Sequence, residues 1–441
     1  MHNQTLDFRS GPMSSLQMLT IAICFAINFL DGMDILAIAF TAPAIGEEWA
    51  LSPQQLGVLF STGLAGMMFG SLVIAPVADR VGRRPMVLAC LVIVTSGMLL
   101  SAFCESFEQL AACRVLTGVG VGAMLPSINT QVAEYASHKR RNLSISILQV
   151  GYVVGGTVGG IIAAYLILSY DWRAVFLFSG MLSGILIPVV FFLFPESIDH
   201  LMLQRNETAL SKVNKILARM RQRQLYEFPE TKFGAVAVSA KLTTLASREY
   251  RVRTLAIWAA YFVTFFALYF ILNWTPKILV NAGLSVEMGI GGGVIVNAGG
   301  IIGSVLLGFI ASRYSLTNVV ALYIALAVVS MIAFGAVGMD LLVLLSTAFV
   351  LGFFVLGCTV GLYAIVPNLY PPSIRTTGTG WAIGIGRLGA IAGPYFGGVF
   401  IGLGWERAQY FLVMSVPLLA GAAIVFFLGR GEEWSQSRAN S

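Results

Sequence analysis

The stretch Leu16–Ile45, "LQMLTIAICFAINFLDGMDILAIAFTAPAI", is an apolar run that contains two aspartates. An α-helix rises about 1.5 Å per residue, so about 20 apolar residues cross the roughly 30 Å hydrocarbon core of a bilayer. A charged side chain in mid-membrane costs about 2.5–3.5 kcal/mol on insertion scales, so such groups line a cavity, find a partner or carry function. The stretch therefore predicts a membrane helix whose two carboxylates are paired, line a cavity or take part in function.

Apolar runs of this kind recur along the whole chain of 441 residues. Hydrophobic residues make up 57% of the sequence and charged residues 11%, which is more apolar surface than a soluble globule can bury. We predict membrane spans at 16–45, 53–78, 86–104, 107–133, 142–168, 172–194, 252–280, 287–311, 317–338, 341–369, 374–402 and 406–428. The predicted fold class is an all-α membrane protein with twelve transmembrane helices in two six-helix bundles.

One long polar segment separates the first six spans from the last six. We predict an N-terminal bundle at 1–194, a cytoplasmic central loop at 195–251, and a C-terminal bundle with a cytoplasmic tail at 252–441. Because Lys and Arg beside membrane spans stay on the inner side, the basic central loop and both termini are expected to be cytoplasmic. Of the 27 Lys and Arg residues, only Arg173, Lys277 and Arg407 then lie outside. The short start has no cleavable signal pattern, so the first span is expected to remain.

Asn28, Asp31 and Asp34 recur at every third position and form one polar stripe on an otherwise apolar helix. Two close carboxylates in a low dielectric disfavour double ionisation, which suits a group that exchanges protons. Arg114, in the fourth span, is a candidate partner. The candidate proton-coupling residues are therefore Asp31, Asp34 and Arg114. The alternative is a fixed, structural ion pair, and which aspartate carries the proton is left open.

Arg387 lies about 20 Å into the eleventh span, between Gly386 and Gly389. Its planar guanidinium can hold a carboxylate with two parallel hydrogen bonds, so we predict a substrate-carboxylate anchor. The alternative is a salt bridge between halves, although the span 252–280 contains no acid to serve as partner.

The second half is rich in aromatic residues. Tyr261, Phe265 and Tyr269 share one helix face, and Trp381 lies six residues before Arg387. If these rings line a cavity, an aromatic substrate can stack on them. Aromatic stripes are more often packing or lipid contacts, so both interpretations stay open.

The two halves contain a plausible internal repeat, a feature of transporter folds. "LQVGYVVGGTVGG" (148–160) pairs with "GRLGAIAGPYFGG" (386–398), which aligns four glycines in each half. Arg387 then occupies the place of Gln149, so the symmetry is broken where a substrate would be held. Gln149 and Asn28 are added to the candidate substrate-binding residues.

Several motifs resemble those of the major facilitator superfamily over nearly the whole chain. These are "ADRVGRRP" (78–85), the Arg114-x-x-x-Gly118-x-Gly120-x-Gly122 pattern and the layout of six plus six spans. Within that superfamily, "DGMD" (31–34) and "YPPSIRTTGTGWAIGIGRLGAIAGP" (370–394) are similar to the aromatic acid:proton symporters, a group that includes 4-hydroxybenzoate carriers. The departures are Ala75 for glycine, Met33 for an aromatic residue, and Gly156 for the proline typical of antiporters. The last departure favours a symporter.

The motif at 78–85 is expected to act as a gate latch on the cytoplasmic side, where Asp79 can cap a helix start and pair with basic residues. The general excess of Lys and Arg in cytoplasmic loops would explain the arginines of this motif but not Asp79 or Gly82. Arg375 either belongs to the same gate or anchors its helix in headgroups. The candidate gating residues are Asp79, Arg80, Gly82, Arg83, Arg84 and Arg375.

Other functional classes fit less well. A phosphate-binding G-x-x-x-x-G-K-[ST] loop, a G-x-S-x-G motif and a histidine cluster are all missing from the sequence, which argues against an ATP-driven pump and a membrane enzyme. The five cysteines have no metal-ligand spacing. A channel is harder to exclude, but a buried acid pair and a buried base suit alternating access. A sensor that has lost transport is a further possibility.

We therefore predict a proton-coupled secondary transporter that imports a small aromatic carboxylate by alternating access. The anion is indicated by the residue chemistry, whereas the aromatic ring is implied mainly by the resemblance. The alternative is a proton symporter of a non-aromatic organic acid such as a muconate-like dicarboxylate, for which Arg114 could supply a second basic contact. We expect no cofactor beyond the coupling proton, no metal and no nucleic-acid partner. The protein is expected to be a lipid-embedded monomer in a bacterial inner membrane.

Overall fold

The computed structural model describes residues 9–228, 242–338, 340–370 and 374–439, and within them every regular element is a helix. Twelve helices are long. They are α1 (Ser15–Glu48), α2 (Pro53–Phe69), α3 (Arg83–Ser101), α4 (Phe107–Tyr135), α5 (Arg141–Ser169), α6 (Trp172–Leu193), α7 (Arg251–Asn281), α8 (Val286–Ala311), α9 (Leu316–Ala336), α10 (Leu341–Ile365), α11 (Arg375–Gly402) and α12 (Arg407–Ala439). The prediction of an all-α membrane protein is confirmed.

Eleven helices in the described part of the chain are long and apolar enough to cross a membrane. The remaining predicted span corresponds to α11, which has 28 residues. At about 1.5 Å per residue that length also exceeds the hydrocarbon core, although glycines and two arginines interrupt its apolar character. α2 continues as a π-helical turn at Gly70–Ile74, a 3₁₀ turn at Ala75–Val77 and a short helix at Ala78–Val81.

Side chains cap several helix starts, where backbone N–H groups have no partner within the helix. Ser106 Oγ accepts from the Gln109 N–H at 3.4 Å at the start of α4. Asp340 Oδ1 accepts from the Val343 N–H at 3.0 Å at the start of α10. A helix also satisfies its remaining backbone groups internally, which is why apolar runs of this length adopt it in lipid.

The chain forms two compact units. Unit 1 comprises Met1–Ile35, Gly66–Gly159 and Arg173–Val236, and unit 2 comprises Leu36–Ala65, Gly160–Trp172 and Ala237–Ser441. Parts of α1, α2 and α5 therefore belong to unit 2 together with the helices of the second half. The predicted bundles at 1–194 and 252–441 stay a prediction.

Glycines bring equivalent helices into close contact in each half. A Cβ atom at Gly155 of α5 would overlap the Phe29 carbonyl oxygen of α1, and one at Gly393 of α11 would overlap the Phe266 carbonyl oxygen of α7. Only glycine lets two helix backbones approach so closely. The predicted pairing of the two glycine motifs is confirmed by these matching contacts.

The first part of the central segment is folded. Helices Ile198–Gln204 and Glu207–Arg219 pack their apolar faces against Leu16 of α1 and Tyr135 of α4. Ser197 and Asn206 cap the two helices. The predicted central loop thus contains a docked helical hairpin. Residues 229–241 of that loop lie outside the described residues.

Candidate functional site

Both aspartates of α1 are buried inside unit 1. Asp31 and Asp34 are each 1% exposed, one turn apart on the same helix. Asn28, one turn earlier, is equally buried and donates its side-chain amide to the Leu148 carbonyl of α5 at 2.6 Å. The three residues form the predicted stripe, and at Asn28 the stripe contacts α5.

The two aspartates have different neighbours. Ser183 of α6 places its Oγ 3.5 Å from Asp34 Oδ2, and Ser179 lies one turn earlier on the same helix. Asp31 Oδ2 is buried and has no hydrogen-bond partner among the described residues. The sequence analysis did not identify either serine, although two serines four residues apart in an apolar span are a recognisable signal.

Arg114 of α4 is 3% exposed and is held by neutral groups. Its Nη2 donates to Ser101 Oγ at 2.8 Å and to Met98 Sδ at 2.9 Å, and the guanidinium lies 4.8 Å from the centre of the Phe176 ring. Arg114 and Asp34 attract each other electrostatically, yet no ion pair within 4.0 Å joins them in the described part of the chain. Arg114 is therefore near the acid pair without being fixed to it, and its coupling role stays a prediction.

Gln149 of α5 is exposed and donates to Asn129 Oδ1 of α4 at 3.2 Å. It directly follows Leu148, the residue whose carbonyl group accepts from Asn28. Gln149 and Asn28 thus both contact the α4–α5 region of unit 1, Gln149 through Asn129 and Asn28 through Leu148.

A cluster of aromatic rings in unit 2 surrounds the predicted stripe on α7. Tyr261, Phe265 and Tyr269 are 0%, 3% and 7% exposed, and each ring packs against the next along the helix. Tyr363 of α10 meets Tyr261 edge-on at 5.8 Å and Phe265 at 6.1 Å between ring centres. Tyr363 is itself 41% exposed. Tyr363 is therefore more exposed than the α7 rings, whose role in substrate binding stays a prediction.

Arg387 of α11 is partly buried beside this cluster. The neighbouring Gly386 lies against Tyr261 and Phe265, where an added Cβ would come within 3.2 Å and 3.4 Å of the two rings. Tyr363 packs on the same two rings. The structure thus brings Arg387 and the predicted aromatic stripe together in unit 2.

Trp381, nearer the start of α11, is 41% exposed and stacks on Trp258 of α7 with ring centres 5.8 Å apart. The sequence analysis did not select Trp258, because it lies three residues before Tyr261 in a helix crowded with aromatic residues. The pair provides a second aromatic surface.

The motif at 78–85 contacts Glu196, which was not among the predicted site residues. Arg83 forms a 3.0 Å ion pair with Asp79, and Gly82 has a φ of +103°, which favours glycine. Glu196 Oε1 accepts from the backbone N–H groups of Arg83 at 2.8 Å and Arg84 at 3.3 Å. Glu196, not Asp79, therefore caps the start of α3.

The other gating candidates have separate surroundings. Arg84 also donates to the Phe191 carbonyl of α6, and Arg80 is exposed. Arg375, in unit 2, is exposed and donates to the Tyr370 carbonyl at 3.4 Å. Whether these residues act in a gate stays a prediction.

Comparison with known proteins identifies the family. The family model described as Major Facilitator Superfamily matches residues 24–360 and 293–441. The chain belongs to the major facilitator superfamily. The fold of this facilitator is similar to that of a solved bacterial homolog of the human lysosomal transporter Spinster, in an inward-facing and unoccupied conformation. The TM-score is 0.71 at 18% identity, and the match covers 95% of this chain and 98% of that one.

Curated relatives narrow the group. The facilitator is 32% identical to a gallate transporter of Pseudomonas putida, over 95% of this chain and 93% of the relative. It is also 32% identical to the 4-hydroxybenzoate transporter PcaK of Pseudomonas putida, over 94% of each chain. The protein is therefore a multi-pass integral membrane transporter related over its full length to carriers of aromatic acids, and it is not an enzyme.

Proposed function

We propose that this facilitator imports a small aromatic carboxylate, of the hydroxybenzoate type, together with a proton by alternating access. It would act in a bacterial cytoplasmic membrane with both termini inside, supplying a substrate for aromatic catabolism. The observation that carries the proposal is Arg387, a partly buried cation beside aromatic rings in a transporter whose relatives are named for aromatic acids.

The anion part of the proposal rests on Arg387. A guanidinium in a partly desolvated setting binds a carboxylate by charge-assisted hydrogen bonds, which are about twice as strong as neutral ones. The nearby exposed Tyr363 supplies a surface on which an aromatic ring can pack. A cation and aromatic rings on adjacent helices suit a substrate with one charge and one ring.

The proton part rests on Asp31 and Asp34. Both acids are buried, and no cation lies within 4.0 Å of either in the described residues. An uncompensated charge in such a place is costly, so a carboxylate there tends to bind a proton before the chain changes conformation. We propose that one member of this pair exchanges the proton, with Arg114 as the electrostatic partner of the pair.

Uptake into proteoliposomes tests the proposal. Labelled 4-hydroxybenzoate, benzoate and muconate are presented with an inward proton gradient to wild type, Arg387→Ala and the control Arg313→Ala. Arg313 is exposed just after α8 and packs on Phe309 of that helix, so its loss should leave uptake unchanged.

We expect gradient-driven uptake of the aromatic acids by wild type and Arg313→Ala, and none by Arg387→Ala. Uptake that survives in Arg387→Ala with unchanged apparent affinity would place the anchor elsewhere. Transport of muconate alone would reject the aromatic substrate while leaving an anion symporter.

A further inference from the structure

Tyr363 is the exposed tyrosine of the aromatic cluster formed with Tyr261, Phe265 and Tyr269 in unit 2. Its ring is fixed by edge contacts with Tyr261 and Phe265, and yet 41% of the residue is exposed. Within the described residues the hydroxyl makes no hydrogen bond to the protein. A phenol that is rigidly placed and available is suited to bind a ligand.

The neighbours of this hydroxyl indicate which end of a substrate it would meet. The ring that carries it packs on Tyr261 and Phe265, and Gly386, the residue before Arg387, lies against the same two rings. In a hydroxybenzoate a para hydroxyl is on the opposite side of the ring from the carboxylate. A group that lies beside the carboxylate anchor therefore belongs to the carboxylate end of the site.

We propose that Tyr363 is a second substrate-binding residue, whose hydroxyl donates to the same carboxylate that Arg387 holds. This inference rests on the proposed function, because it needs a carboxylate at Arg387. The two residues come from α10 and α11, so a bound carboxylate connects these helices. Tyr261 is 0% exposed and meets the Tyr363 ring edge-on, so it helps to position that ring.

If the Tyr363 hydroxyl contacts the carboxylate, its removal should weaken the binding of every aromatic monocarboxylate by the same factor. Removing one hydrogen bond to a charged group should weaken binding about tenfold. Because the hydroxyl contacts the carboxylate, the factor should be the same for benzoate and for 4-hydroxybenzoate. A hydroxyl that instead recognised the ring substituent would affect 4-hydroxybenzoate alone.

The experiment measures the Kd of labelled benzoate and 4-hydroxybenzoate for the full-length protein in lipid nanodiscs. Tyr363→Phe keeps both ring contacts and removes only the oxygen atom. Tyr323→Phe is the matched control, because Tyr323 is 4% exposed and donates to the Gly303 carbonyl at 3.3 Å, remote in sequence from Arg387. A thermal unfolding curve for each variant verifies the fold.

We expect both Kd values to rise about tenfold in Tyr363→Phe and to stay unchanged in Tyr323→Phe. Unchanged values in Tyr363→Phe, or a rise for 4-hydroxybenzoate only, would overturn the inference while wild-type binding upholds the proposed function. If wild type binds neither acid and Arg387→Ala behaves identically, the proposed function fails and this inference with it.

Discussion

Replacing Asp34 by asparagine is expected to abolish the dependence of uptake on external pH, whereas Asp31→Asn is expected to preserve it. Asp34 has Ser183, Ser179 and the charge of Arg114 to stabilise it when ionised. Asp31 has a buried oxygen without a partner in the described chain, and its titratable neighbours are Asp34 and Cys90, neither of which is a cation. Asp34 is therefore the acid that can both lose and regain a proton.

The magnitude follows from the number of exchanging groups. One pH unit corresponds to about 1.36 kcal/mol, so the protonated fraction of a single carboxyl group changes by up to about tenfold per unit. Two independent groups would change it by up to about a hundredfold. With Asp34 acting alone, initial uptake should rise by no more than about tenfold when the external pH falls by one unit.

The assay measures initial uptake of labelled 4-hydroxybenzoate into proteoliposomes. The internal pH is held constant and the membrane potential is clamped, so only external protonation varies. The uncharged acid also crosses lipid unaided, and the rate in Arg387→Ala vesicles is subtracted to remove that contribution. Exchange of labelled for unlabelled substrate without a gradient tests whether Asp34→Asn still binds and translocates.

The expected slopes of log rate against external pH are about −1 for wild type and for Asp31→Asn, and about zero for Asp34→Asn, with exchange retained. A wild-type slope near −2 would show that both carboxyl groups exchange protons. A flat Asp31→Asn profile beside a normal Asp34→Asn profile would reverse the assignment and refute the reasoning from neighbours.

Three further perturbations test the packing of the fold. Gly393→Val should lower the stability of the protein by about 1–3 kcal/mol, because the new side chain overlaps a carbonyl group of α7. In Gly380→Ala the added Cβ meets nothing within 4 Å, so this control should be neutral in the same thermal unfolding measurement. Glu196→Gln should lower the unfolding free energy in a detergent titration by about 1 kcal/mol through loss of the charge at the start of α3, and the exposed Glu227→Gln should not. Leu217→Ala, at a site 1% exposed, should cost about 2–5 kcal/mol and speed tryptic cleavage of the docked hairpin, so an unchanged cleavage rate would contradict the docking.

Much of the fold could be predicted from the sequence because its determinants are local. Hydropathy marks every span except α11, since lipid forces a long apolar segment to satisfy its own backbone as a helix. The repeat was visible as well, because a glycine such as Gly155 or Gly393 is required wherever two backbones touch. Neither signal depends on knowing which helices are neighbours.

The candidate site was predicted only in part because its finer contacts are tertiary. Only the fold shows that Ser183 contacts Asp34. Likewise, only the fold shows that the Glu196 carboxylate caps the start of α3. Arg114 was expected to pair with an aspartate, but it is held by a hydroxyl and a thioether instead. Sequence spacing selects residues that are unusual in their own helix and cannot select the partners supplied by another helix.

The repeat shows that the acid pair of α1 and Arg387 of α11 break the symmetry of the two halves at different helices. The contacts of Gly155 with Phe29 and of Gly393 with Phe266 fix the correspondence of α1 with α7, and on that correspondence Asp31 aligns with Leu268. The acids of α1 therefore have apolar counterparts, just as Arg387 has an amide counterpart in α5. The acid pair and Arg387 thus lie on different repeats. In the proposed symporter, proton exchange therefore belongs to the first repeat and carboxylate binding to the second.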